Sequence, residues 1–302
     1  ATEPGEINFE SLELPSMTPG SLVRKFGPGM MLMMTGIGTS HIITAPTAGG
    51  RFAYALMWCI PVAYVFKYYG FEMAFRFTNA TGKSLIEAYG TAWKKWPLWY
   101  VMATTILQCV IGQAGRLIAA AAVLYFLFSY LFSEALGFEI PIEIFAAVLG
   151  AFCVFILLRG NYKIVERVAK IAAGFLFVTT VFVFFVNPPS ISVVQYFFIF
   201  DMPPGSWLII AGFLGLLPTG IDVSLQASEW GKAKKVGMGR IRGTLEEMGL
   251  ARRFDPFAPK KEDLTVDTSL LPAHAQVYCQ RWFTIGLWDF RLGHVVSFII
   301  AC

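Results

Sequence analysis

Apolar residues along this chain gather in long runs, not in the alternation of a strand or the one-sided stripe of a soluble helix. Six runs are long enough to cross roughly 30 Å of hydrocarbon, and a seventh opens near the C-terminus. The predicted spans cover about residues 29–49, 52–69, 98–128, 142–158, 164–186 and 206–230. The second continues into FEMAFRFTNATGK, read as a cytoplasmic helical extension closed by Gly82. WFTIGLWDFRLGHVVSFIIAC, from Trp282, begins the seventh. The pattern predicts a cytoplasmic N-terminal segment (1–28), a six-span membrane region (29–230), a cytoplasmic loop (231–281) and the start of a seventh span (282–302).

The polar positions orient these spans. Lys and Arg cluster before span one (Arg24, Lys25), after span two (Arg76, Lys83, Lys94, Lys95), after span four (Arg159, Lys163, Arg167) and after span six (Lys232, Lys234, Lys235, Arg240, Arg242). The alternate loops, FSEALGFEIP and NPPSISVVQYFFIFDMPPG, contain none, and Arg51 is the one exception, read as lying in a loop. The positive-inside rule therefore predicts a multi-pass protein of the cytoplasmic (inner) membrane with a cytoplasmic N-terminus. The acidic start, ATEPGEINFESLELPSM, lacks the basic-then-apolar order of a signal peptide and is expected to remain uncleaved.

Composition agrees with a membrane partner. The chain is 56% hydrophobic and 15% charged, whereas soluble domains carry about 25% charge. Its five cysteines are scattered without a paired motif, which argues against a disulfide framework or a zinc site. No nucleophile–base pair, phosphate cradle or nucleic-acid surface is visible, so neither an enzyme nor a bound cofactor is expected. The stretch 231–281 mixes basic and acidic groups with three prolines and reads as a solvated loop.

Two spans carry helix breakers at membrane depth. Span one contains Gly36-Ile37-Gly38-Thr39-Ser40-His41, followed by Pro46, and span six contains Gly215-Leu216-Leu217-Pro218-Thr219-Gly220-Ile221-Asp222. Unwinding a helix in lipid frees amides and carbonyls that need a ligand, water or a neighbouring helix. Paired interrupted spans are the sequence pointer to a transporter's binding site. The alternative, that these glycines only permit close packing, is weakened by their matching positions, five spans apart.

FGPGMM at the mouth of span one, AGG beyond its break, TGKSLIE after span two, LQCVIGQA in span three and LLPTGID in span six resemble the NRAMP family of divalent-metal transporters. The similarity runs in register from about Phe26 to Trp230. It implies an all-α polytopic protein with a LeuT-like inverted repeat, discontinuous spans one and six, and proton-coupled uptake of a divalent metal bound between them. The sequence departs from the family at the site itself. Gly38-Thr39-Ser40-His41 stands where the family has Asp-Pro-Gly-Asn, and Leu217-Pro218-Thr219 replaces Met-Pro-His. Ile106-Leu107-Gln108-Cys109 replaces Asp-Leu-Gln-Glu. A soft thioether and two family ligands are therefore absent.

The expected cation-binding set is Gly38, Thr39, Ser40, His41, Leu217, Pro218, Thr219, Gly220 and Asp222, with His41 and Asp222 as the metal-ligating side chains. Asp222 also has a plainer reading as a carboxylate favoured at a helix N-terminus. Gln108, Gln113 and Arg116 of span three are expected as cavity residues or ion-pair partners. Oxygen donors without sulfur suit a hard ion such as Mg²⁺ better than Fe²⁺ or Mn²⁺. Three functions stay open at this point: a divalent-cation transporter, a carrier of a small polar or anionic solute on the same fold, and a transport-inactive subunit of a larger complex. The chain ends inside the seventh span, leaving the second repeat incomplete; it reads as a fragment, with a shortened relative needing membrane partners as the alternative.

Overall fold

The structure, a computed structural model, describes residues 12–29, 32, 44–137, 140–159, 162–220 and 222–302. These residues form helices, and extended pairing among them is an isolated antiparallel bridge between Ala251 and Val266. Among the described residues three stretches are long and apolar enough to cross a membrane: Trp93–Tyr130, Ile142–Arg159 and Ala273–Ala301.

The N-terminal part gives α1 (Pro19–Lys25), a helical start at Pro28 and Gly29, and α2 (Ala45–Phe52). Helix α2 runs through Gly49 and Gly50 and carries Arg51 in its last turn. Arg51 is therefore not in a loop; it sits where the helix dipole favours a cation. The chain turns at Ala53, with φ of 47°, and the next helix, α3, is Cys59–Thr81. It begins later than the apolar run suggests, because Pro61 fits only the first turn of a helix. Gly82, with φ of 69°, closes it in the left-handed conformation.

TGKSLIE is a connector. Ser84 Oγ accepts the Glu87 amide while Glu87 Oε2 accepts the Ser84 amide at 2.8 Å, a capping box that starts α4 (Leu85–Gly90). Span three comprises α5 (Trp96–Leu107), a π-helical turn at Gln108–Gly112 and α6 (Gln113–Leu136). Helices α7 (Ile142–Arg159) and α8 (Tyr162–Val186) come next, and α6 packs along α7.

Span six is interrupted. Helix α9 (Trp207–Leu216) ends at Leu217, whose backbone is extended, and α10 (Val223–Ala233) starts after a gap that includes a cis Leu217–Pro218 bond. Helix α3 runs unbroken alongside both halves. Its Ile60, Ala63 and Tyr64 join Ile210, Phe213 and Leu217 in one buried cluster. Two to three turns further on, Phe71 and Phe75 join Val223, Ala227 and Phe290 in another.

The stretch after α10 corrects the expectation of a solvated loop. Met238, Ile241, Leu245, Ala251, Leu271 and Ala275 form a buried cluster around the short helix α11 (Arg242–Glu247). Arg242 is only 5% exposed. Its guanidinium donates to the Thr81 carbonyl at the end of α3, to the Arg252 carbonyl at 3.1 Å and to the Asp263 carbonyl at 2.6 Å. Arg240 stacks on Trp282, 3.4 Å from the ring centroid. At the surface, hydrogen bonds from the Ser269 hydroxyl and amide hold Asp267 below the usual carboxylate range.

The last helix, α12 (Ala273–Ala301), begins inside the stretch read as loop and is 29 residues long. It lies against α3, and Gly293 meets the Gly29 carbonyl so closely that no Cβ fits between the first and seventh spans.

Candidate functional site

The break in span six is built by the residues after Leu216. Leu217 turns its side chain into the core, 2% exposed, and Pro218 has no amide to offer. The Val223 amide bonds to the Gly220 carbonyl at 3.0 Å, where an unbroken helix would use Thr219. The carbonyls of Gly215 and Thr219 are thereby left without the partners a continuous helix would supply.

A residue absent from the expected set satisfies them. Lys67 of α3 donates from Nζ to the Gly215 carbonyl at 2.6 Å and to the Thr219 carbonyl at 3.0 Å. Its position follows from helical spacing. Ile60, Ala63, Tyr64, Lys67, Phe71, Ala74 and Phe75 lie on one stripe of α3. The stripe is apolar wherever it meets a half-helix and cationic where it meets the gap. The sequence carries the signal: a lysine inside a predicted span, where ionisable groups are costly enough to mark function.

Asp222 occupies the N-cap position of α10, yet its side chain makes no capping hydrogen bond. The carboxylate folds back over Gly220, where Oδ1 fills the space a Cβ would need. Gln108 reaches the same place from span three, with Nε2 3.7 Å from the position a Gly220 Cβ would take. The π-helical turn that starts at Gln108 aims it there, and such turns recur at functional sites.

The structure thus brings Thr219, Gly220, Asp222 and Gln108 together, with Leu217 and Pro218 shaping the gap. Gln113 and Arg116 do not join them. Both are exposed on α6, and among the described residues no ion pair links Arg116 to Asp222. Gly38, Thr39, Ser40 and His41 lie outside the described residues. Among the described residues no cluster of three or more His, Cys, Asp or Glu side chains forms. The donors gathered at the gap are oxygens: two carbonyls bonded to the Lys67 ammonium, and the Asp222 carboxylate over Gly220.

The family model described as natural resistance-associated macrophage protein-like (Nramp) matches residues 29–226, a stretch that contains both interrupted-span motifs. An uncharacterized protein of Pasteurella multocida is 24% identical over 279 residues, covering 91% of this chain and 53% of that protein. The chain spans about half the length of that curated relative. With its apolar helices and a family match across the interrupted span, the chain is a multi-pass membrane protein of the Nramp family.

Proposed function

We propose that this chain carries a divalent metal ion across the cytoplasmic membrane, with the ion held between spans one and six of a LeuT-like inverted repeat. The N-terminus is cytoplasmic in this reading, as the distribution of Lys and Arg requires. The single observation that supports it most is the pair of span-six carbonyls, Gly215 and Thr219, already turned onto a cation, with the Asp222 carboxylate over neighbouring Gly220.

The donor set favours a hard ion. Leu217-Pro218-Thr219 offers no thioether, and carbonyl, hydroxyl and carboxylate oxygens suit Mg²⁺ with part of its water shell retained. In this reading Thr39, Ser40 and His41 face the same ion from span one. Gln108 contributes its amide oxygen or orients Asp222.

The test is uptake of divalent cations by proteoliposomes containing the protein, with Asp222→Ala alongside. Cation uptake that falls at least about tenfold in the variant supports the reading, since the loss of one coordinating carboxylate weakens binding by that order. Undiminished uptake by Asp222→Ala removes the central residue. Stabilisation by small polar solutes with no response to any divalent ion points instead to a solute carrier.

A further inference from the structure

The ammonium at the break is part of the protein itself. Lys67 lies in the middle of α3, between two buried apolar clusters, on the face that meets span six. Its two hydrogen bonds go to Gly215 and Thr219, the carbonyls that the interruption frees. Across the gap, Asp222 stands at the start of α10 with its carboxylate folded over Gly220. The oxygens that the described part of the gap would turn to an arriving cation are therefore already engaged by, or held beside, a cation on a flexible four-carbon stem.

We infer that Lys67 is a tethered competitor for the cation site: its ammonium fills the span-six carbonyls when cargo is absent, and a metal ion binds there only as Lys67 withdraws. This rests on reading the span-six break as the cation site. Three features carry it. First, an ammonium and a partly hydrated divalent ion seek the same donors, carbonyl and carboxylate oxygens. Second, like charges exclude each other at this range, so the two occupants cannot share the gap. Third, a lysine stem has the rotamer freedom to swing aside, which a backbone group lacks.

The consequence is a built-in threshold. If Lys67 is engaged in about nine molecules in ten, apparent metal affinity falls about tenfold below that of the vacated site. The device also keeps the freed carbonyls hydrogen-bonded in lipid between transport events.

Equilibrium binding of Mn²⁺, a paramagnetic oxygen-seeking probe, to the purified protein in nanodiscs tests this through loss of the free-ion EPR signal. Lys67→Met is expected to bind Mn²⁺ at least about tenfold more tightly than the wild type. Lys67→Arg, which keeps the charge, is expected to bind no more tightly than the wild type. Equal affinity in wild type and Lys67→Met, with binding still lost in Asp222→Ala, overturns the inference and leaves the cation site standing. Absence of Mn²⁺ binding from both overturns the inference together with the reading beneath it. A measurement on the unmutated protein covers failure of Lys67→Met to fold. Saturating Mn²⁺ is expected to raise the rate of reductive methylation at Lys67 several-fold, read by mass spectrometry, as the amine leaves its carbonyls. An unchanged or lowered rate contradicts displacement.

Discussion

Asp289 of the last helix accepts the amide of Gly29 at 2.9 Å, and the same carboxylate oxygen accepts the amide of Gly27 at 3.0 Å. Asp289 is 3% exposed, so the opening of span one is held by a buried charge from the seventh span. The glycine-rich stretch FGPGMM thus serves two ends. It exposes amides to a carboxylate, and it lets Gly29 approach Gly293 without an intervening side chain.

Removing that acceptor is expected to destabilise the helix pair. Asp289→Ala should cost about 1.5–3 kcal/mol, the usual range for hydrogen bonds to a charged group, and Asp289→Asn should cost less because one carbonyl oxygen remains. The shift in unfolding midpoint in detergent measures both. Equal effects of the two variants would place the stabilisation in something other than the amide contacts.

The Gly29–Gly293 approach has its own check. Gly293→Ala puts a methyl group into the Gly29 carbonyl and is expected to cost about 1–3 kcal/mol through overpacking. Gly115→Ala, in α6, meets nothing within 4 Å and is expected to be neutral or stabilising by up to about 1 kcal/mol. Thermal unfolding of the two variants side by side separates close packing from a general intolerance of alanine.

Arg242 holds the segment after α10 to the end of α3. Arg242→Met leaves the Asp263 and Arg252 carbonyls without their donor, at about 1–3 kcal/mol for each buried group left unmade. Local opening should speed tryptic cleavage after Arg252, Arg253, Lys260 and Lys261 by about tenfold or more. Mass mapping of the early fragments gives the rate, and cleavage unchanged from the wild type would contradict the anchoring role.

The capping box of the TGKSLIE connector is expected to contribute about 1 kcal/mol, lost in Ser84→Ala. Glu87 has a second partner, Lys232 of α10 at 3.0 Å, so Glu87→Gln should loosen the second half of span six as well. Hydrogen exchange over residues 223–233 reads that effect, and protection there should fall in Glu87→Gln more than in Ser84→Ala.

Several of these elements are legible as sequence. GLLPTGID announces the interruption of span six because glycine and a mid-span proline leave few other conformations. Gly82 announces the end of α3, and Gln108 and Asp222 stand out as polar groups inside apolar runs. Lys67 is equally visible as a charge inside the second predicted span, but its acceptors lie 148 and 152 positions away and meet it only in three dimensions. Asp289 cannot be assigned from its neighbours, since its partners lie some 260 positions away. The folded state of residues 231–281 is hidden for a related reason. Its prolines and mixed charges look like those of a loop, while its apolar residues are too sparse to show a period and meet only in three dimensions. The role expected of Gln113 rests on its lying a turn or so from Gln108, and that of Arg116 on its being a charge inside a predicted span. The π-helical turn separates both from Gln108 and turns them outward.

The most direct measurement is anomalous diffraction from crystals of the protein soaked in Mn²⁺. The expected result is a metal peak within about 2.0–2.6 Å of the Asp222 carboxylate and of the Gly215 or Thr219 carbonyl, the range for divalent ions bound by oxygen, with Lys67 Nζ withdrawn from both carbonyls. A metal bound elsewhere in the membrane region, with Lys67 still donating to Gly215 and Thr219, would contradict the assignment of this gap as the cation site.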